Sequence, residues 1–74
     1  MVGLKHMRIR LRVKEVSEQR GISMVQLSRL SELQYDTIRG MFNNPQRDVS
    51  ILTLEKVAHG LKVDIHELYT VFDA

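Results

Sequence analysis

Residues 22–38, ISMVQLSRLSELQYDTI, hold two copies of one short pattern that marks the start of a helix. In each copy an apolar residue precedes a polar one, and a second apolar residue follows that polar residue by four positions. The apolar pair forms a hydrophobic staple, and the polar residue can accept N–H groups of the first turn. The polar residues, Ser23 and Gln34, are 11 positions apart, so one helix of about two turns and a short turn fit between them. This spacing predicts a helix-turn-helix, whose second helix can enter the DNA major groove. The two copies are Ile22, Ser23 and Leu27, then Leu33, Gln34 and Ile38.

The same pattern occurs twice more towards the carboxyl end, at Ser50 and at Asp64. Two of the four copies add a capping box, Ser23 with Gln26 and Asp64 with Glu67. A fourth helix is therefore predicted over residues 51–59, with Gly60 ending it, and a fifth after Asp64. The inward residues expected of these two helices are Leu54, Val57, Ala58 and Leu61, then Ile65, Leu68 and Tyr69.

The two central helices are predicted over residues 24–31 and 35–42. The first should turn Leu27, Leu30 and Leu33 inwards. In the second, Ile38 sets the core direction with Met41 and Phe42, since successive residues step by about 100°. The opposite, outward side should carry Asp36, Gly40 and Asn43, with Thr37 and Arg39 at its flanks. The run Asn43-Asn44-Pro45 should end this helix, because Asn tolerates a left-handed backbone and Pro cannot continue a helix.

The amino-terminal segment carries two conflicting periods. Residues 7–14 alternate as a strand does, whereas Ile9, Val13 and Val16 have helical spacing. We expect an extended start and a first helix over residues 11–19, with Gly21 just past its end. The β-branched and aromatic tail, residues 69–72, is suited to a short strand against the extended start. The predicted fold is all-α, a compact bundle of four to five helices with short terminal β-strands.

Length and composition predict one domain over residues 1–74, with residues 1–6 flexible. The chain has no cysteine, no apolar stretch that could span a membrane and no signal-peptide pattern, so we expect a cytoplasmic protein. Residues 1–40 hold eight Lys and Arg against four Asp and Glu, whereas residues 41–74 hold three against five. The basic amino-terminal half suits a polyanion, and an ordinary solvated surface explains it equally well.

The stretch GISMVQLSRLSELQYDTIRGMFNN, residues 21–44, followed by TLEKVA, residues 53–58, and by Leu61, Val63 and Leu68, resembles the Cro/phage-repressor (XRE-like) helix-turn-helix family. The resemblance covers about residues 11–69 and includes the segment after the helix-turn-helix, which makes it specific. It implies a lambda-repressor-like bundle and a DNA-binding transcriptional regulator that acts as a dimer on operator half-sites.

The sequence departs from the family pattern at three positions. Ser28 stands where the family favours a small residue, usually Ala, and Glu32 stands where it favours Gly in the turn. A non-glycine residue with a positive φ costs about 1 kcal/mol or more, which favours another conformation for this turn. Met24 replaces the Gln with which family members often hold a phosphate, so that contact is not expected.

The resemblance also implies which residues contact DNA bases. Gln34 and Tyr35 match the opening positions of the recognition helix, and Asp36, Thr37, Arg39 and Gly40 match its groove-facing positions. Arg39 can bind guanine through two hydrogen bonds, Gln34 can reach adenine, and Thr37 can touch a thymine methyl group. For Tyr35 the alternative is a half-buried staple partner. For Asp36, favourable charge at the helix amino terminus is preferred over a contact to cytosine.

Phosphate contacts are expected on either side of this helix. Asn43 matches the family's phosphate-binding position, Asn44 and Arg47 lie in the loop that follows, and Arg29 is a weaker candidate. Arg8, Arg10, Arg12 and Lys14 lie on one side of the alternating segment, where a solvated charged face is favoured over a track along the DNA backbone.

The sequence therefore predicts a sequence-specific DNA-binding regulator whose partner is double-stranded DNA and which forms a homodimer at least on DNA. We expect no enzyme activity, catalytic residue, metal or cofactor, since the three histidines lack ligand spacing and no glycine-rich phosphate loop occurs. The alternative is a protein-interaction module with the same fold, such as an antitoxin or an adaptor that uses the tail, residues 69–72.

Overall fold

The computed structural model describes residues 7–73, so the prediction that residues 1–6 are flexible lies outside the described residues. The chain runs β1 (Met7–Leu11), α1 (Val13–Gln19), α2 (Met24–Ser31), α3 (Tyr35–Asn43), α4 (Ile51–Leu61), a short 3₁₀ helix (Ile65–Leu68) and β2 (Tyr69–Asp73). The helical bundle and both terminal strands are therefore confirmed. Within the described residues, no helix is long and apolar enough to cross a membrane.

Three of the four predicted capping residues make a capping hydrogen bond. Ser23 and Gln26 form the capping box at α2, and the Ser50 hydroxyl accepts from the Thr53 N–H at 3.0 Å. At the 3₁₀ helix, Asp64 accepts from the His66 N–H and Glu67 accepts from the Asp64 N–H. Gln34 precedes α3 but makes no capping hydrogen bond, contrary to the prediction. Its longer side chain is a poorer cap than Ser, Asp or Asn.

The two terminal strands pair antiparallel, with Ile9 opposite Val71 and Leu11 opposite Tyr69. The Leu11 N–H donates to the Pro45 carbonyl at 2.6 Å, and the Arg12 N–H donates to the Leu68 carbonyl at 2.7 Å. Because Leu11 belongs to the strand, α1 begins later than predicted, at Val13. The predicted four-residue basic side is reduced to Arg8 and Arg10 on one strand face, since the alternation stops at Leu11.

The core confirms the predicted inward residues except one. Leu30 was predicted to point inwards, but its side chain is 49% exposed. The buried residues of α2 are Leu27 and Ser31. The backbone of Leu30 lies against α4 at Gly60, so the Leu30 side chain extends beyond the α2–α4 contact into solvent. The buried apolar residues are Leu11, Val13, Val16, Leu27, Ile38, Met41, Leu54, Val57, Ala58, Leu61 and Leu68.

Two predicted helix boundaries in the carboxyl-terminal half are wrong. Gly60 does not end α4 but lies buried within it, and Lys62 ends the helix with a left-handed backbone at φ 58°. A Cβ at Gly60 would lie 3.1 Å from the Ser31 nitrogen, so glycine serves a close approach of α4 to α2. The fifth helix is only the 3₁₀ turn Ile65–Leu68, because Tyr69 is already in β2.

Candidate nucleic-acid interface

The turn between α2 and α3 sets the orientation of the two helices. Glu32 adopts the left-handed conformation at φ 60°, so the expectation of a different turn is wrong. The Ser28 hydroxyl donates to the Leu33 carbonyl at 2.6 Å, and the Leu33 N–H donates back to the Ser28 carbonyl at 3.2 Å. Two departures from the family pattern thus lie in one turn, where the hydrogen bonds of Ser28 hold the conformation that Glu32 disfavours.

The third helix presents its polar side to solvent. Ile38 and Met41 are buried and Phe42 is half-buried, as predicted. Asp36 and Asn43 are exposed on the opposite side, with Gly40 between them and Thr37 half-buried at the flank. The helix ends at Asn43, and Asn44 has φ −133°, so the predicted left-handed Asn does not occur. The amide of Asn44 instead helps to form the following turn.

The opening residues of α3 are accessible. Gln34 is exposed and its amide is not used as a cap, which leaves the amide free to contact DNA. Tyr35 is exposed, and the residue packed against the core at the helix start is Leu33. With 40% of its surface exposed, Tyr35 is compatible with both a DNA contact and a half-buried position at the helix start.

Asp36 and Arg39 are neighbours on the surface of α3. Arg39 Nη2 lies 3.9 Å from Asp36 Oδ1, and the two side chains are 58% and 85% exposed. An ion pair this long and this exposed contributes little stability, so it holds Arg39 loosely. Asp36 also lies in the first turn of α3, where a carboxylate is favoured by the helix dipole.

The structure joins Gly40 and Arg47, which the sequence assigned to different roles. A Cβ added at Gly40 would overlap Arg47 Nη1 and would lie 3.0 Å from Cζ and 3.7 Å from Cδ. The guanidinium therefore lies directly over Gly40 on the outer side of α3. Apart from the cost of a glycine inside a helix, nothing in the sequence points to this contact.

The loop after α3 is anchored at several points. The Arg47 N–H donates to the Asn44 carbonyl at 3.0 Å, and the Gln46 N–H donates to Asn44 Oδ1 at 3.3 Å. Asn43, Asn44 and Arg47 are all exposed near the end of α3, whereas Arg29 lies on α2. The phosphate candidates thus occupy two separate segments, as the sequence implied.

Asp64 lies outside the helix-turn-helix, at the start of the 3₁₀ helix. Hydrogen bonds from the His66 backbone N–H and ring hold the pKa of Asp64 below its ordinary value of 3.8. Within residues 7–73, no group of three or more His, Cys, Asp or Glu side chains could hold a metal ion.

Comparisons with known proteins point to a helix-turn-helix domain. The family model for the Cro/C1-type helix-turn-helix DNA-binding domain matches residues 12–74. Among solved structures, the restriction-modification controller protein C.AhdI from Aeromonas hydrophila is similar, with 30% identity and a TM-score of 0.69. That similarity covers 76% of this chain and 83% of the controller protein. No curated protein matches the sequence.

Proposed function

Because this chain belongs to the Cro/C1-type helix-turn-helix DNA-binding family, we propose that it is a sequence-specific transcriptional regulator that reads the major groove with α3. One observation carries the proposal: α3 buries Ile38 and Met41 and turns a polar side with Arg39 to solvent. The similar controller protein supports a regulatory role. A DNA-binding regulator acts in the compartment that holds its DNA, and we expect that compartment to be the cytoplasm.

Base reading would come from the amino-terminal half of α3. Arg39 presents a planar guanidinium that fits guanine O6 and N7, and its long contact to Asp36 is weak enough to be exchanged for a base. Gln34 and Tyr35 stand at the start of the helix with exposed side chains, where residues of a recognition helix reach base edges. Thr37 is the candidate for a thymine methyl group.

Phosphate contacts would position this helix in the groove. Asn43 is the last residue of α3, Asn44 and Arg47 follow it, and Arg29 lies in the last turn of α2, so the four candidates come from the segments before and after the reading helix. Such contacts fix the orientation of the protein on the duplex without selecting a sequence. Each phosphate neutralised adds about −0.9 to the slope of log affinity against log salt.

The test is a selection of bound duplexes from a random pool, followed by titrations of the selected site at several salt concentrations. We expect one enriched motif and a log–log slope of about −3 to −6 for a protein pair. An affinity that does not change with salt, or a pool without any enriched motif, would contradict sequence-specific binding through charged contacts.

The regulator would act as a homodimer joined through the free edge of β2. The Leu11 N–H points away from β2, so Leu11 and the opposite residue Tyr69 form a pair without hydrogen bonds to each other. In an antiparallel pair such positions alternate, so the N–H groups of Tyr69 and Val71 both point to the outer edge of β2. Among residues 7–73, no backbone hydrogen bond reaches this edge. The sequence of β2, Tyr-Thr-Val-Phe-Asp, has no Lys or Pro to prevent pairing.

A second copy of the chain suits this edge better than it suits β1. Two β1 strands would bring Arg8 and Arg10 against like charges, which destabilises cross-strand pairs. Two β2 strands would instead join the exposed Ile9 and Val71 of both copies into one apolar row. A two-fold axis there predicts a pseudo-palindromic operator.

Light scattering on Val71→Lys tests this interface, with Val25→Lys as the control. The two valines are 49% and 51% exposed, but Val25 lies on α2, away from the sheet. A charge at Val71 should weaken the dimer, and the same change at Val25 should not. A monomeric parent that protects a single half-site on DNA would contradict the dimer.

A protein-interaction module remains the second candidate, because α4 begins with two strongly exposed apolar residues. Ile51 is 69% exposed and Leu52 is 61% exposed, which is typical of a surface that a protein partner covers. An antitoxin or an adaptor would use such a surface. If the random-pool selection returns no motif, this candidate takes precedence.

A further inference from the structure

We propose that Arg47 is a base-reading residue. Gly40 leaves the space in which the Arg47 guanidinium lies against the groove-facing side of α3. The inference rests on the proposed function and revises one part of it, because Arg47, which is assigned to phosphate there, is here assigned to a base. The overlap between Arg47 Nη1 and a Cβ built on Gly40 shows that the guanidinium occupies the place of the missing side chain.

The backbone of Arg47 is held in place by the loop that carries it. Its N–H donates to the Asn44 carbonyl at 3.0 Å, next to the end of α3. The preceding Pro45 carbonyl accepts the Leu11 N–H at 2.6 Å, which ties the loop to β1. The side chain thus starts from a fixed point and runs back over α3 to Gly40.

The position over Gly40 favours a base over a phosphate. Asp36, Gly40 and Asn43 form one stripe on α3, opposite the buried Ile38 and Met41. When α3 lies in the major groove, this stripe faces the groove. A guanidinium in the middle of the stripe presents two parallel N–H donors that match O6 and N7 of guanine.

The glycine itself agrees with this arrangement. Glycine destabilises a helix interior relative to alanine, so its presence on a solvent-facing side has no local structural benefit. Any larger residue at this position would displace the guanidinium from the stripe. Alanine at Gly40 should therefore stabilise α3 and weaken binding to the selected DNA site.

The experiment compares the parent with Gly40→Ala, Arg47→Ala, Arg47→Lys and the double variant Gly40→Ala with Arg47→Ala. Each protein is titrated at fixed salt against a duplex with the selected site and against a random-sequence duplex, and each is melted thermally. We expect Arg47→Ala to lose about tenfold or more on the selected site and much less on random DNA. Arg47→Lys should keep random-sequence binding and lose selectivity, because the charge remains without the planar pair of donors.

Gly40→Ala should weaken selected-site binding while its melting temperature stays level or rises. The double variant should bind no more weakly than Arg47→Ala alone, because the space at Gly40 has no role once the Arg47 guanidinium is removed. Equal losses on both duplexes for Arg47→Ala would make Arg47 a phosphate contact and overturn the proposal. Parent-like binding by Gly40→Ala, or additive losses in the double variant, would also overturn it.

Failure of this inference can be told apart from failure of the proposed function. If Arg39→Ala loses selectivity and Arg47→Ala does not, α3 still reads DNA and only the role of Arg47 is wrong. If neither variant differs from the parent on either duplex, both proposals fall together.

Discussion

Gly40 and Gly60 each stand inside an α-helix, yet what surrounds them is different. A Cβ at Gly60 would meet the backbone of α2, at 3.1 Å from the Ser31 nitrogen and 3.2 Å from the Leu30 carbonyl carbon. The three atoms nearest to a Cβ at Gly40 would all belong to the Arg47 side chain. The backbone of a packed helix cannot move aside, whereas an exposed guanidinium can.

This difference separates the part of the molecule that maintains the fold from the part available for DNA. The contact between α2 and α4 at Gly60 is buried, so a change there acts on the free energy of unfolding. The outer side of α3 at Gly40 faces solvent, so a change there acts on what the surface can bind. The same substitution, glycine to alanine, should therefore give opposite results at the two positions.

The largest effect expected on stability is that of Gly60→Ala. Crowding the α2–α4 contact costs about 1–3 kcal/mol, and the gain in helix propensity returns about 0.5–1 kcal/mol. We expect the free energy of unfolding to fall by about 1 kcal/mol, and by no more than about 2.5 kcal/mol, in urea or thermal denaturation. The ratio of selected-site to random-DNA affinity of the folded protein should not change.

Gly40→Ala is the matched control for this prediction. It adds the same methyl group to a helix and should leave stability unchanged or raise it by up to about 1 kcal/mol. The comparison breaks down if Gly60→Ala is as stable as the parent, or if both alanine variants are destabilised alike.

A smaller effect of opposite sign is expected of Glu32→Gly in the α2–α3 turn. The left-handed backbone of Glu32 is unfavourable for a residue with a side chain, and glycine removes that strain at some cost in unfolded-state entropy. The free energy of unfolding should rise by about 0.5–1 kcal/mol. Lys62→Gly, at the other left-handed cap, should behave in the same way, and a loss of stability in both variants would argue against strain at either site.

The smallest effect concerns the exposed cap of the 3₁₀ helix. Because the pKa of Asp64 is lowered in the folded protein, its carboxylate adds stability above its ordinary pKa of 3.8 and loses it as the pH falls through the folded value. Asp64→Asn keeps a capping oxygen but does not titrate. Denaturation across the acid range should show the stability difference between parent and variant shrinking below about pH 3.8, and a constant difference would contradict it.

The sequence predicted the fold where the signal is local. Staples and capping boxes placed α2, α3 and the start of α4, because each depends on residues within about one turn of the helix start. The boundaries it missed depend on distant contacts. Gly60 was read as a helix end, since the sequence does not reveal that α2 passes within van der Waals distance of it.

In the candidate site, too, the features set by local sequence were predictable and those set by contacts between segments were not. The outward residues of α3 followed from the helical period alone, once Ile38 set the core direction. The contact between Gly40 and Arg47 could not be predicted, because it depends on how the loop turns after Asn44. The turn at Glu32 was also missed, since the stabilising hydrogen bond of Ser28 is made five residues along the chain.

The most direct test of the account compares Arg39→Ala with the parent on the selected duplex and on random DNA, with a thermal melt of each protein. Arg39 is exposed on α3, and its one ion pair among residues 7–73 is the long contact to Asp36, so the melting temperature should stay unchanged. Binding to the selected site should weaken by about 1–3 kcal/mol and binding to random DNA by much less. A folded variant that binds both duplexes as the parent does would contradict base reading by Arg39 on α3.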